Sequence, residues 1–198
     1  LRRKPWRLAL ARPWRSVCQR CKKARLAKPA GRGLISNHPL PGQVPGFYSE
    51  ANMISSRDLN DLHPAVKRRA LAMISACDAD GITLLITSTY RDNASQDKLY
   101  AQGRAGAVGP VVTNAKGGQS WHNWRLAFDI VPIVHGKPCW STTGDAGRIW
   151  RKIGDIGKSC GLEWAGDWKR FPEYPHFQYT GGLTLADLQS GKTLRGDA

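Results

Sequence analysis

The sequence has no long apolar run, and its first 34 positions contain no acidic residue. No segment reaches the roughly 18 consecutive apolar residues that a membrane-spanning helix requires. The start is basic but has no apolar h-region, so we expect no standard secretory signal and synthesis in the cytoplasm. At 198 residues, the chain is long enough for one domain with a proper core and short for two.

Cysteine is scarce as well, with five residues scattered along the chain. An odd and irregular set is a poor disulfide framework, so we expect these thiols to be mostly reduced. Cys18 and Cys21 form a single CxxC pair, but no second ligand pair follows nearby. We therefore interpret this pair as incidental rather than as a structural zinc site.

Positive charge is abundant and unevenly placed. The formal net charge is +15, and residues 1–34 hold twelve Lys and Arg without one acid. We predict that this basic tail binds anionic partners such as nucleic acid, lipid head groups or acidic cell-envelope polymers. Trp6 and Trp14 lie among the charges, a composition suited to anionic membrane interfaces. An unstructured extension without function is the alternative.

The rest of the chain divides into a linker and a domain. Residues 35–49 are rich in proline and glycine and are predicted to be a linker, and residues 50–198 are predicted to fold. Ser55 or Ser56 is expected to cap a short turn, and Pro64 to begin a helix that ends at Gly81. Val66, Ala70, Met73 and Cys77 would form its buried stripe.

Hydrophobic patterning predicts the remaining elements. We expect a central strand at 82–90, a helix at 93–102, a strand at 127–134, a helix at 145–160 and a strand at 176–179. Residues 103–119 contain five glycines and are predicted to form a long loop, which in a compact domain is usually functional. This order favours an α+β domain in which helices flank a small antiparallel sheet.

His122 and Asp129 are the first candidates for chemistry. Asp129 interrupts an apolar strand, where a carboxylate is costly unless it is paired or bound to a metal. Spaced seven apart, the two cannot bind one metal from a single helix in the manner of HExxH, but they can meet if His122 ends a loop and Asp129 lies on the next strand. A buried Asp satisfied by backbone donors or by an arginine remains the alternative.

Glu173 and His176 form a second cluster. A catalytic zinc takes three protein ligands and needs a carboxylate nearby as general base. One short turn could supply a ligand from His176 and a base from Glu173. A surface glutamate beside a half-buried histidine is the alternative.

Arg91 follows the apolar strand and could point into a cleft, where its guanidinium would bind a carboxylate in bidentate fashion. A structural ion pair is the alternative interpretation. Gln96 on the following helix could hydrogen-bond substrate or act as a cap.

Together these segments resemble the zinc D-alanyl-D-alanine carboxypeptidase and L-alanyl-D-glutamate endopeptidase family of phage and bacterial cell-wall enzymes. The resemblance spans about residues 55–178 and includes Ser120, His122, Ala127 and Asp129 of a Ser-x-His-x-x-Gly-x-Ala-x-Asp pattern. The sequence departs from that pattern at Arg125, where the family commonly has glycine. If this position requires positive φ, arginine would be strained by about 1–2 kcal/mol.

The resemblance implies a role for each matched residue. His122, Asp129 and His176 would hold zinc on the sheet, and Glu173 would be the general base. Arg91 would hold a substrate carboxylate or stabilise the oxyanion. Four further residues are expected to contact substrate or shape its cleft: Gln96, Ser120, Trp164 and Trp168. Trp121 and Trp124 are weaker candidates for the cleft wall.

The resemblance also implies a peptidoglycan substrate and action at the cell wall, in the periplasm or outside the cell, by a monomer. The segment around Asp167 looks like phage endolysins and favours cleavage of the L-Ala–D-Glu bond of the stem peptide. Removal of terminal D-Ala by a carboxypeptidase is the alternative. A nucleic-acid-binding protein is disfavoured because the domain is nearly neutral, and a non-enzymatic wall-binding relative is disfavoured by Glu173.

Overall fold

The computed structural model describes residues 53–104 and 108–195. The predicted basic tail (1–34) and linker (35–49) lie outside the described residues, so their roles stay predictions. Among the described residues, no helix combines the length and hydrophobicity required to cross a membrane. The helices are α1 (Pro64–Ala79), α2 (Asn93–Ala101), α3 (Gly144–Ser159) and α4 (Leu185–Gln189), and the strands are β1 (Thr83–Ser88), β2 (Ala127–Val134), β3 (Lys137–Pro138), β4 (Glu163–Trp164) and β5 (His176–Gln178).

The strands form one antiparallel sheet, which confirms the predicted α+β class. Its order is β1-β2-β5-β4, and β3 pairs with the end of β2. The prediction that 82–90 forms a central strand was wrong, because β1 lies at the edge. Its burial alternates along the strand, and Leu85 remains 44% exposed. An apolar run alone therefore did not distinguish an edge strand from a central one.

Helix α1 follows the predicted pattern. Pro64 occupies its first turn, and the His63 side chain accepts a hydrogen bond from the backbone N–H of Ala65. The stripe residues Val66, Ala70, Met73 and Cys77 are all fully buried. Gly81, at φ +75°, allows the chain to turn from the helix into β1.

Helix α3 lies very close to the sheet because two of the positions that face the aromatic rings of the sheet are glycines. A Cβ at Gly154 would overlap the Trp164 ring, and a Cβ at Gly157 would overlap Phe177. Phe177 stacks between Phe128 and Trp164, with ring centroids 5.9 and 6.3 Å apart. These three aromatics are cross-strand partners on β2, β5 and β4, so they form the face of the sheet that packs on the helices.

Side chains alternate between the two faces of a strand, so the residues beside these aromatics point away from the helical layer. Asp129 and His176 are such neighbours and lie directly opposite each other on β2 and β5. Gln178 pairs in the same way with Glu163 on β4. The fold thus places a row of polar groups on the face opposite the core.

Arg125 adopts the left-handed conformation, with φ +63° and ψ +22°, immediately after the 3-10 turn Trp121–Trp124. The strain anticipated for a non-glycine residue at this position is therefore present. Its side chain makes compensating contacts: Nη1 donates to the Asp61 carbonyl oxygen at 2.9 Å, and the guanidinium carbon lies 4.2 Å from the centroid of the Tyr90 ring.

We expect Arg125→Gly to be more stable than Arg125→Ala. Both substitutions remove the same side-chain contacts, but only glycine relieves the backbone strain. The difference in the free energy of unfolding should be about 1 kcal/mol after allowance for the greater freedom of glycine in the unfolded chain. Urea denaturation of the two variants measures it, and an alanine variant of equal or higher stability would contradict the strain argument.

Candidate metal centre

Three predicted ligands come together from three different elements. His122 lies in the 3-10 turn Trp121–Trp124, Asp129 lies on β2, and His176 begins β5. The turn delivers His122 to the polar face of the sheet, where Asp129 and His176 already face each other as cross-strand partners. This arrangement, a histidine at the end of a loop and an aspartate on the next strand, is the one that their spacing allowed.

The three candidate ligand atoms form a nearly equilateral triangle. His122 Nε2 lies 3.2 Å from Asp129 Oδ1 and 3.2 Å from His176 Nδ1, and Asp129 Oδ1 lies 3.1 Å from His176 Nδ1. Tetrahedral ligands at metal distances of about 2.0–2.1 Å would be separated by about 3.3–3.4 Å. The triangle therefore fits one small divalent metal ion, and His122, Asp129 and His176 would hold it.

The outward-facing nitrogen of each imidazole contacts an oxygen acceptor. His122 Nδ1 lies 2.6 Å from the Thr89 carbonyl oxygen, and His176 Nε2 lies 3.1 Å from Gln178 Oε1. A ring nitrogen that donates its proton outward leaves a lone pair on the other nitrogen. In both rings that second nitrogen belongs to the triangle, so the hydrogen bonds prepare both histidines for a metal.

Electrostatics also favour a cation in the triangle. Burial raises the pKa of Asp129, but the positive charge and hydrogen bonds of His122 and His176 outweigh burial and hold that pKa well below its usual range. Burial lowers the pKa of His176, whereas its hydrogen bond to Asp129 raises it, and the net effect is upward. A bound cation would stabilise the ionised Asp129 carboxylate in the same way.

Arg91 is anchored beside Asp129 rather than loosely exposed. Its Nη1 donates to Gln96 Oε1 at 2.8 Å and its Nη2 to Ser88 Oγ at 2.9 Å, and Nη2 lies 3.8 Å from Asp129 Oδ2. Burial lowers the pKa of Arg91, partly offset by the nearby negative charges of Asp129 and Glu173. A bulge in β1 at Thr87 brings Ser88 opposite Asp129.

Two cavities meet at the triangle. A cavity of about 240 Å³ is lined by Arg91, Thr113 and all three candidate ligands. A second cavity of about 390 Å³ is lined by residues from the 103–119 loop and from the segment 168–173. Glu173 and His176 line both cavities. A bound molecule could therefore extend from the candidate metal site into the larger cavity.

The residues predicted to contact substrate occupy different environments. Ser120 lines both cavities, and Trp168 lines the larger one, with its ring centroid 5.7 Å from that of His176. Trp164, in contrast, lies in the hydrophobic core and donates its indole N–H to the Tyr174 carbonyl. Gln96 is fully buried and ties Arg91 to the Ala115 carbonyl. The geometry assigns Trp164 and Gln96 to support of the site, not to its surface.

Asn123 is a supporting residue that sequence reasoning missed. Its Oδ1 accepts from the backbone N–H groups of Gly118 and Ser120, and its Nδ2 donates to the Arg91 carbonyl oxygen at 2.8 Å. It thereby joins the loop that carries Arg91 to the turn that carries His122. The spacing Ser120-x-x-Asn123, which resembles a capping box, was the available signal.

We expect the chain to bind one divalent transition-metal ion and His176→Ala to lose it. Removal of one of three protein ligands leaves His122 and Asp129 as an incomplete set. His135→Asn is the matched control, because His135 is exposed and asparagine tolerates its positive φ. Equilibrium dialysis followed by elemental analysis measures the stoichiometry, and full occupancy in His176→Ala would contradict this ligand set.

Comparison with known proteins identifies relatives of this chain. The family model for D-alanyl-D-alanine carboxypeptidases of the peptidase M15 class matches residues 113–179, which contain His122, Asp129, Glu173 and His176. The peptidoglycan L-alanyl-D-glutamate endopeptidase CwlK of Bacillus subtilis (strain 168) is 41% identical over 124 residues, which cover 60% of this chain and 74% of that protein.

Two further proteins are more distant. The L-alanyl-D-glutamate peptidase of Listeria phage A118 is 28% identical over 135 residues, which cover 67% of this chain and 42% of the phage protein. The crystal structure of the Serratia marcescens L-Ala D-Glu endopeptidase ChiX is similar with a TM-score of 0.46 and 22% identity, over 62% of this chain and 84% of that one. The match to CwlK covers most of that relative at substantial identity, so the chain belongs to the M15 peptidase family.

Proposed function

We propose that this chain is a zinc-dependent peptidoglycan peptidase that hydrolyses the L-alanyl–D-glutamate bond of the stem peptide. The observation that carries the proposal is the triangle of His122, Asp129 and His176 with Glu173 and Arg91 lining the same cavity. Two relatives, CwlK and the phage A118 enzyme, are named for action on an L-alanyl-D-glutamate peptide. Together these findings support both the reaction class and the bond.

The donor set favours zinc. Two imidazole nitrogens and one carboxylate oxygen form a three-ligand set of the kind found in catalytic zinc sites, which leave the fourth position open. When bound, zinc would supply a Lewis acid that activates water and polarises the peptide carbonyl. Since His122 and His176 are almost fully buried, solvent has little access to their side of the site.

Glu173 is positioned to act as the general base. The turn that links it to His176 is closed by a backbone hydrogen bond of 3.2 Å, and Glu173 lines the same cavity as the three candidate ligands. Burial raises the pKa of Glu173, Asp129 raises it further, and His176 and Arg91 partly oppose the shift. A carboxylate of increased basicity suits removal of a proton from the attacking water and its delivery to the leaving amine.

Arg91 lines the smaller cavity and supplies a fixed positive charge there. Gln96 and Ser88 hold its guanidinium, so the charge is oriented before substrate binds. In this position it can attract a substrate carboxylate and stabilise negative charge that develops on the carbonyl oxygen. Its proximity to Asp129 adds a second task, since it also helps to orient that carboxylate.

Two cavities that share Glu173 and His176 offer more room than one terminal residue requires, which favours an endopeptidase over an exopeptidase. Cleavage inside a stem peptide requires room for residues on both sides of the bond. The second candidate function, removal of terminal D-alanine, is favoured by the description of the matching family model. Mass spectrometry of digested peptidoglycan distinguishes them: new N-terminal D-glutamate supports the proposal, and released free D-alanine supports the carboxypeptidase.

We expect Glu173→Gln to retain zinc and fold while losing most of its turnover. The amide keeps the size of the side chain but cannot accept the proton, and loss of a general base typically costs about 10²–10⁴ in rate. Asp155→Asn is the matched control, because Asp155 is exposed and pairs only on the surface with Lys158. The measurement is kcat for each variant, with its zinc content determined in parallel. Loss of zinc from Glu173→Gln would instead make Glu173 a ligand.

For Arg91→Lys we expect a sharp fall in kcat/KM in a folded protein. Lysine keeps the charge, but it cannot donate to Gln96 and Ser88 through a planar fork while facing Asp129. Zinc content distinguishes the two proposed roles of Arg91, which are substrate binding and orientation of the Asp129 carboxylate. Retained zinc with low activity would support substrate handling, whereas unchanged activity would reduce Arg91 to a structural ion pair.

A further inference from the structure

A chain of hydrogen bonds extends from His176 away from the metal triangle. His176 Nε2 lies 3.1 Å from Gln178 Oε1, and Gln178 Nε2 donates to Glu163 Oε2 at 2.9 Å. The other oxygen of Glu163 accepts from Thr180 Oγ1 at 2.8 Å. Gln178 is buried, and Glu163 faces it as its cross-strand partner on β4. Neither residue lines either of the two cavities.

Glu163 sets the orientation of the Gln178 amide, because a carboxylate can only accept hydrogen bonds. A glutamine amide can present either its oxygen or its NH2 group to a neighbour, whereas an ionised carboxylate accepts hydrogen bonds and donates none. Glu163 therefore requires the NH2 group of Gln178, which leaves Oε1 of Gln178 facing His176. An oxygen at that position requires a proton on His176 Nε2.

The orientation of the Gln178 amide affects the metal site because it determines which nitrogen of the His176 ring carries the proton. A neutral imidazole with its proton on Nε2 carries its lone pair on Nδ1, and Nδ1 of His176 is the atom that faces His122 and Asp129. The reversed amide would favour a proton on Nδ1, which a metal would have to displace, so that metal binding would be weaker. His122 has no such dependence, since its acceptor is the Thr89 backbone carbonyl, which cannot exchange with a donor.

We propose that Glu163 and Gln178 are positioning residues that select the metal-binding tautomer of His176. The inference rests on the proposed metal site and adds to it two residues that touch neither metal nor substrate. Hydrogen-bond partners of ligating histidines typically change metal affinity by about 10–100-fold when removed. Glu163 acts one step further out, by fixing which end of the Gln178 amide faces the ring.

Three variants test whether Glu163 orients the Gln178 amide and thereby selects the tautomer of His176. In Gln178→Leu the ring loses its acceptor. In Glu163→Lys the new ammonium can only donate, so it should reverse the Gln178 amide and move the proton of His176 to Nδ1. In the double variant Gln178→Glu/Glu163→Gln the carboxylate and the amide exchange positions, so that the ring of His176 still faces an acceptor. Asp155→Lys is the control for charge reversal, because Asp155 is exposed on α3.

Two readouts are needed, and neither is catalytic activity. Nitrogen-15 NMR of the metal-free protein, at a pH where the imidazoles are neutral, reports which nitrogen of His176 carries the proton. Competition with a chromophoric chelator gives the Kd for zinc. We expect Gln178→Leu and Glu163→Lys to bind zinc about 10–100-fold more weakly, and the double variant and the control to remain within about threefold of the original chain.

The inference would be overturned if Glu163→Lys kept the Nε2 proton, or if both weakened variants bound zinc like the original chain. Circular dichroism of each variant accompanies the titration, so that unfolding is not mistaken for loss of affinity. An original chain that bound no zinc would refute the proposed function, but the tautomer measurement on the metal-free protein would still test the role of Glu163 and Gln178.

Discussion

The pairing register of β2 with β5 is the constraint on which the rest of the site depends. It sets Asp129 opposite His176 on one face, and Phe128 opposite Phe177 on the other. A slip by one residue would exchange the faces of the moving strand, so that aromatic rings would face the cavities and ligands would enter the core. The same pairing thus determines both the hydrophobic packing and the ligand geometry.

Helix α3 helps to hold this register from the opposite side of the sheet. Its glycines allow the Phe177 and Trp164 rings to lie directly on the helix, where a single added methyl group would collide with them. Interiors are close-packed, so such a contact resists displacement of β5 along its own axis. Gly157 and His176 are therefore mechanically coupled although they lie on opposite sides of the sheet, with Phe177 as the link.

The family resemblance, more than any single residue, led to the candidate ligands, because each local signal on its own left an alternative open. Asp129 interrupts an apolar strand, and Glu173 precedes His176 by one short turn. The edge position of β1 and the buried role of Gln96 could not be predicted, because both depend on which elements become neighbours after folding. The contact between Gln178 and His176 is different: residues two apart on a strand share a face, and that periodicity was available.

Charge balance explains why the Arg91 side chain is only 12% exposed despite the cost of removing it from water. Asp129 and Glu173 border the same cavity, and the negative charge of Asp129 raises the pKa of Glu173. A fixed guanidinium opposes that effect, and a bound divalent cation would oppose it more strongly. Arg91 and a metal bound at the triangle would thus both lie close to the two carboxylates. With both positive charges present, Asp129 would remain ionised as the proposed ligand, and Glu173 would remain available to accept a proton. Substitution of either positive group should therefore alter the behaviour of Glu173 as well as its own contacts.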